Sequence, residues 1–317
     1  MEICLHLGAH RTGTTGLQVL LNDQRPALRR SGVAFWGPHR TRSGLLAGLI
    51  KDPSTLTNRD AKLGQRSCGR LRMEASRMEQ NGAQQLVISE ENLIGTMAQN
   101  LGATRLYGQL SDRLARFAPA FEGRALRIGL AIRAYDVHWA SQLAFRVKMG
   151  ASLPSVADLD RLVTQPRRWR NVIADVEAIF PNAQIIVWPF ESWVSNPRRL
   201  VTHFLGRDIA FGTMSKPHKS NASATAAELS EIAAERGDLD SALRLSTAGI
   251  GARYMPFDAA QAGKLQDDYL ADIAWLEAGV NSSRVTYLDP TEGTFGGANM
   301  TEGSHHDQET RSVGSAR

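Results

Sequence analysis

The residues Gly8-Ala9-His10-Arg11-Thr12-Gly13-Thr14-Thr15 supply what a phosphate cradle needs. A short apolar strand, Ile3 to Leu7, leads into them, and an apolar-periodic stretch with Leu17, Leu20 and Leu21 leads out. Strand, Gly-rich loop and helix in that order turn backbone N–H groups and the positive end of the helix toward an anion. A loop built for a nucleoside triphosphate places a lysine directly after its second glycine, to reach the β- and γ-phosphates. Here Thr14 stands at that position, and the cation, Arg11, precedes Gly13. The loop therefore points to a phosphate-bearing donor of another kind. A plain strand-to-helix turn with a threonine cap is the competing use of the same residues.

A second basic element follows about 120 residues later. Leu130-Ala131-Ile132-Arg133 ends an apolar run, and Ala134 to Ser141 opens a helix-like stretch. A strand-to-helix turn folds Arg133 back over the first two turns of that helix, so its guanidinium and the Ser141 hydroxyl can converge on one phosphate.

The segment His10-Arg11-Thr12-Gly13-Thr14-Thr15, with Arg133 and Ser141, resembles the donor-binding elements of the sulfotransferases that use 3′-phosphoadenosine 5′-phosphosulfate (PAPS), in particular the bacterial type. That family usually carries lysine where this chain has Arg11. The resemblance implies a P-loop-type α/β fold and PAPS as co-substrate, with no metal required. It assigns Arg11, Thr12, Gly13, Thr14 and Thr15 to the 5′-phosphosulfate, and Arg133 and Ser141 to the 3′-phosphate. The family also closes its donor site with a late basic loop. Lys216-Pro217-His218-Lys219-Ser220-Asn221-Ala222-Ser223 is the weaker match, with Lys219 and Asn221 as contacts; a capped helix start is the alternative there.

Sulfuryl transfer needs a base for the acceptor's proton. Glu90 and Glu91, directly after the apolar run Leu86-Val87-Ile88, stand where a strand should end beside the phosphate loop. Adjacent carboxylates in such a place can divide their roles, one facing the cleft with a raised pKa and the other solvated or capping the next helix. The sequence does not choose between them, and His10 is a third candidate base. Arg11 would stabilise charge on the leaving group. His6, inside the first strand, reads as a buried, satisfied imidazole, and His305-His306 is too isolated for a metal site.

The elements that must position these groups alternate. Apolar runs at 3–7, 33–36, 85–89, 126–132 and 184–188 read as strands. Helical patterns occupy 17–30, 59–82, 103–118, 135–149 and 168–179, and mostly helical patterns follow at 196–206, 223–235, 238–247 and 258–278. Such alternation predicts an α/β fold with a parallel sheet covered on both faces and a helical C-terminal portion. Residues 1–280 are expected to form one domain. From 281 to 317 the composition shifts to Gly, Ser, Thr, Asn and His, which reads as a disordered or loosely docked tail.

The chain of 317 residues is 42% hydrophobic and 22% charged, ordinary for a globular protein. Its net charge of +5 suits an anionic ligand without demanding one. No nucleic-acid motif appears, and no apolar run is long enough to span a membrane. The two cysteines, Cys4 and Cys68, suggest neither disulfides nor a thiolate metal site, which fits a reducing cytoplasm. The helical pattern at 59–82 is unusually basic, with Arg59, Lys62, Arg66, Arg70, Arg72 and Arg77. It reads as a solvated face or as a docking surface for an acidic acceptor such as a glycan.

Two other function classes compete. Leu86 to Glu91 also resembles a Walker B strand, which would suit a degenerate P-loop kinase or NTPase. A non-catalytic module that binds a phosphorylated ligand would use the same loop. The acceptor and the oligomeric state are not encoded in any recognisable motif.

Overall fold

The computed structural model describes residues 1–213, 223–247, 251–280 and 282–294; Lys219 and Asn221 lie outside them. The chain begins β1 (Glu2–His6), α1 (Thr14–Asp23), α2 (Arg25–Arg30), β2 (Val33–Trp36), α3 (Pro38–Arg40), α4 (Asn58–Gln80) and β3 (Gln85–Ser89). It continues α5 (Met97–Gly102), α6 (Leu110–Phe121), β4 (Leu126–Ile132), α7 (Tyr135–Lys148), α8 (Val156–Thr164), α9 (Trp169–Ile179) and β5 (Gln184–Pro189). The remainder is α10 (Phe190–Trp193), α11 (Pro197–Leu205), α12 (Ala226–Glu235), α13 (Leu239–Ser246), α14 (Ala259–Glu277), β6 (Val285–Tyr287) and α15 (Pro290–Thr294).

Six strands form one sheet in the order β2-β3-β1-β4-β5-β6, and every pairing is parallel. The near-continuous apolar runs explain this, because crossover helices cover both faces and leave the central strands no solvent side. Alternate residues divide between two apolar layers. Ile3, Leu5, Leu86, Ile88, Leu130 and Ile132 belong to the layer packed by α4, α6, α7 and α9. Cys4, Val87, Ala131, Ile186 and Trp188 belong to the other, packed by α1, α2 and α11. Buried Asp272 on α14 accepts from the Tyr135 hydroxyl, from Trp169 N at 2.9 Å and from Arg170 Nε at 2.6 Å. These bonds hold the late helix against α7 and α9.

Three expectations need correction. The helix expected at 103–118 starts only at Leu110, because Thr104 and Tyr107 adopt left-handed φ values of 48° and 46° and force a turn. The helix expected at 17–30 breaks at Gln24 into α1 and α2, and α1 begins at Thr14, directly after the glycine. The reading of 281–317 as a disordered or loosely docked tail does not hold for Val285–Tyr287, which pair in register with Ile185–Val187 as the outermost strand.

Candidate functional site

The chain leaves β1 toward β2 and β3 on one side and returns to β4 on the other, so β1 lies where the strand order reverses. In open parallel sheets ligands bind outside the carboxyl ends of strands at such a point. The carboxyl ends of β1, β3 and β4 here carry the Gly8–Thr15 loop, Glu90-Glu91 and Arg133, respectively. All three elements singled out in the sequence thus share one edge.

The loop is wound tightly. Gly8, Arg11 and Gly13 have left-handed φ values of 53°, 65° and 74°. A Cβ on Gly8 would stand 2.5 Å from Thr14 Oγ1. The hydroxyls of Thr12 and Thr14 both donate to the Ala9 carbonyl, at 2.6 and 3.3 Å, so these side chains brace the loop from within. Thr15 and Gly13 are exposed. Helices α4, α8, α12 and α14 each carry a capping box, whereas α1 has no side-chain cap and no acidic residue in its first turn. Its leading N–H groups have no intrahelical partner, which leaves a partly positive, anion-seeking end.

Two arginines meet at this end. Arg11 Nε donates to Ser141 Oγ at 2.8 Å, and its Nη2 donates to Ser223 Oγ at 3.3 Å. The two serine hydroxyls are also hydrogen-bonded to each other. Arg133 Nη1 donates to the Arg11 carbonyl at 2.6 Å, which stabilises the left-handed turn there. Arg133 Nε is buried without a hydrogen-bond partner; Glu191 Oε1 is 3.7 Å away. Phe190 supports both parts, with the Arg133 guanidinium 4.8 Å from its ring centre and Gly13 against its edge. Burial lowers the Arg133 pKa, Glu191 opposes the shift, and the charges of Arg11 and Arg253 add to it. Three arginines, Arg11, Arg133 and Arg253, thus face two carboxylates, Glu191 and Asp136, which leaves a net positive charge around Arg133.

The carboxylates differ sharply. Glu90 is fully buried, and its oxygens accept from Arg42 Nε and Nη2 at 2.9 and 2.7 Å, from Thr41 Oγ1 at 2.7 Å and from both nitrogens of Asn92. Glu91 keeps 19% of its side chain exposed and accepts from Arg42 Nη2 at 2.9 Å and Gln18 Nε2 at 3.1 Å. Burial pushes its pKa up, but its own backbone N–H and Arg42 outweigh that and hold it below the usual glutamate value, so the raised pKa expected of a cleft-facing carboxylate is not found at Glu91. The neighbouring Gln18 amide also donates to Ser89 Oγ at 3.1 Å, and Ser89 bonds His6 Nδ1 at 2.8 Å.

His10 is buried. Its backbone N–H donates to the Tyr107 hydroxyl at 2.9 Å. That hydroxyl can return its proton to His10 Nδ1, 3.1 Å away, leaving Nε2–H to face Asn92 Oδ1 at 3.4 Å. Both ring nitrogens are occupied in this tautomer, which follows from the hydrogen-bond network. Burial lowers the pKa of His10, so the ring is neutral at neutral pH.

Arg42 and Tyr107 carry much of this geometry, and sequence reasoning did not single them out; Asn92 was noted only as the residue after the two glutamates. Arg42 sits in a connection without periodicity, and Tyr107 lies in a stretch that reads as helix. Ser223 closes the weak basic segment but was not named as a contact. A cleft of about 470 Å³ along the outer edge of β2 contains Arg25 and Arg29 but no carboxylate, imidazole or hydroxyl side chain. It runs along β2 and the segment entering β3 and includes none of the Gly8–Thr15 loop, Glu90, Glu91 or Arg133. Among the described residues no group of three or more His, Cys, Asp or Glu could hold a metal ion, and no helix is long and apolar enough to cross a membrane. Compared with known protein families, curated proteins and solved structures, the chain matches none.

Proposed function

We propose that the chain is a sulfotransferase that moves a sulfuryl group from PAPS to a hydroxyl or amine of an acceptor. The observation that carries this reading is the meeting of Arg11, Arg133 and Ser141 at the uncapped start of α1, in a loop without the nucleoside-triphosphate lysine. The residues suit a doubly phosphorylated donor. The loop N–H groups and Arg11 would take the phosphosulfate end, while Arg133, with its unpartnered buried Nε, and Ser141 would take a second phosphate. The donor supplies the sulfuryl group and leaves as adenosine 3′,5′-bisphosphate.

Among the carboxylates, Glu91 is the better base. Glu90 has its oxygens filled by five hydrogen bonds, and His10 has no free ring nitrogen. In the transfer the acceptor oxygen forms a bond to sulfur as the sulfur–oxygen bond to the phosphate breaks. The acceptor proton passes to Glu91, and the electron pair goes to the leaving phosphate, whose charge Arg11 stabilises.

Calorimetric titration with adenosine 3′,5′-bisphosphate beside ATP·Mg²⁺, on the natural chain and on Arg133→Ala, tests the donor site. Bisphosphate binding weakened by roughly tenfold or more in Arg133→Ala, with ATP·Mg²⁺ far weaker, is expected. Preference for ATP·Mg²⁺ would return the loop to a nucleoside-triphosphate enzyme, and no binding of either would leave it a structural turn.

A further inference from the structure

The solvent face of α4 carries a feature that the donor site does not use. Arg59, Lys62, Arg66, Arg70 and Arg77 are all exposed. At 100° per residue they fall within one narrow arc, extending about 27 Å at the helical rise. The opposite face, with Cys68, Leu71 and Ala75, packs into the core. Arg59 and Lys62 are three residues apart, and Lys62, Arg66 and Arg70 are spaced by four, so like charges are direct neighbours and repel.

A solvated helix normally relieves such repulsion with interleaved acids. The acids of α4 are committed elsewhere: Asp60 pairs with Lys51 at 2.6 Å, Glu74 with Arg40, and Glu79 with the N-terminal amine and Arg124. None of the five cations has an ion pair among the described residues. The row is therefore a persistent line of positive charge.

Its position joins it to the site. All strands are parallel and α4 connects β2 to β3, so α4 starts at the sheet edge that holds the phosphate loop. The connection before it bears Arg42 on Glu90 and Glu91, and Gly48 of the same connection lies against the Asp60–Gly64 backbone, where a Cβ would be 2.6 Å from both Asp60 O and Gly64 N. The charged line thus starts at the sheet edge that bears the carboxylates and follows the crossover toward the opposite edge.

We propose that this face docks an acidic polysaccharide with uronate carboxylates and leads one of its hydroxyls to Glu91; the second half of that statement rests on the sulfotransferase reading. A polymer fits because the charge extends over five helical turns rather than gathering in a pocket. Carboxylate is the charge an acceptor already has before any sulfate is added. Single-stranded nucleic acid fits less well, because residues 58–80 contain no aromatic side chain on which bases could stack. A membrane-lying helix would turn its apolar face outward, and α4 turns it inward.

The test is binding of polygalacturonate to the full chain, against polyadenylate and phosphatidylglycerol vesicles, with the variant Arg59→Gln/Lys62→Gln/Arg66→Gln/Arg70→Gln/Arg77→Gln beside the natural chain. Polygalacturonate should bind, lose affinity steeply with added salt, and bind the variant roughly tenfold or more weakly. Adenosine 3′,5′-bisphosphate affinity should be the same in both, which shows that the variant is folded. Equal polygalacturonate binding by both chains, no binding by the natural chain, or stronger stripe-dependent binding of polyadenylate or vesicles would overturn the proposal. If bisphosphate failed to bind the natural chain while polygalacturonate bound through the stripe, the donor reading would fall and the docking face would stand.

Discussion

Arg11 Nε donates to Ser141 Oγ at 2.8 Å across 130 residues of sequence, tying the loop after β1 to the helix after β4. The bond brings a cation and a hydroxyl together exactly where two crossover connections open onto one sheet edge. Because each group orients the other, their contributions to anion binding should be coupled. Arg11→Ala and Ser141→Ala should each weaken adenosine 3′,5′-bisphosphate binding, by roughly tenfold or more for the arginine and less for the serine. The double variant should lose clearly less than the product of the two effects, as expected for residues in contact. A titration series on the four proteins checks this, and full additivity would mean that the pair does not act as a unit.

The carboxylates should separate by role. Glu91→Gln should abolish most turnover with PAPS and an accepted substrate while leaving thermal stability nearly unchanged. Arg42→Ala should act mainly on stability, because it strands the fully buried Glu90. Since Arg42 is about half exposed, solvent screening reduces the loss to about 2–3 kcal/mol. Paired activity and denaturation measurements distinguish the two. A stable, inactive Arg42→Ala would shift the chemistry onto that arginine.

Gly8→Ala probes the winding of the Gly8–Thr15 loop. The new methyl would meet Thr14 Oγ1 at 2.5 Å on a backbone already at φ 53°. A loss of about 1–3 kcal/mol is expected, with bisphosphate binding reduced as the loop opens. Thermal melting with and without bisphosphate reads both effects.

Acid should destabilise the protein before its carboxylates titrate. Burial lowers the His6 pKa from an ordinary 6.5 to about 4, with Glu91 opposing the shift, and His10 and His138 are lowered by burial as well. A depressed histidine stays neutral in the fold while the unfolded chain takes up a proton. Its contribution is therefore present above about pH 6.5 and is lost as the pH falls toward 4. For His6 alone this is about 3 kcal/mol. Urea titrations from pH 7 to 4 should show the fall, and His6→Gln should flatten it.

The central strands were legible because burial on both faces leaves continuous apolar runs, as in Leu86-Val87-Ile88 and Leu126 to Ile132. The places of Arg133 at the end of β4 and of Ser141 on α7 were legible because one strand-to-helix turn sets both, whereas Arg11 as the partner of Ser141 comes from a separate connection. Arg42 and Tyr107 were not, since each reaches the site from a distant connection and only the tertiary fold brings it there, and Ser223 was seen only as the end of a weak basic segment. The turn at 103–109 was hidden for a different reason: Thr104 and Tyr107 take left-handed conformations that glycine or asparagine would have announced. Strand β6 was hidden by brevity, as its three residues lie in a polar, Gly- and Ser-rich stretch.

That short strand also governs where the chain can be cut. Ile185–Val187 pair with β4 on one side and with Val285–Tyr287 on the other. A version ending near Ala278 would expose the backbone of Gln184–Pro189, a run rich in isoleucine, valine and tryptophan, as a bare sheet edge. Such an edge templates pairing between molecules. Shortened chains that keep residues through 288 should remain dispersed, whereas those stopping ten residues earlier carry their own seed for aggregation.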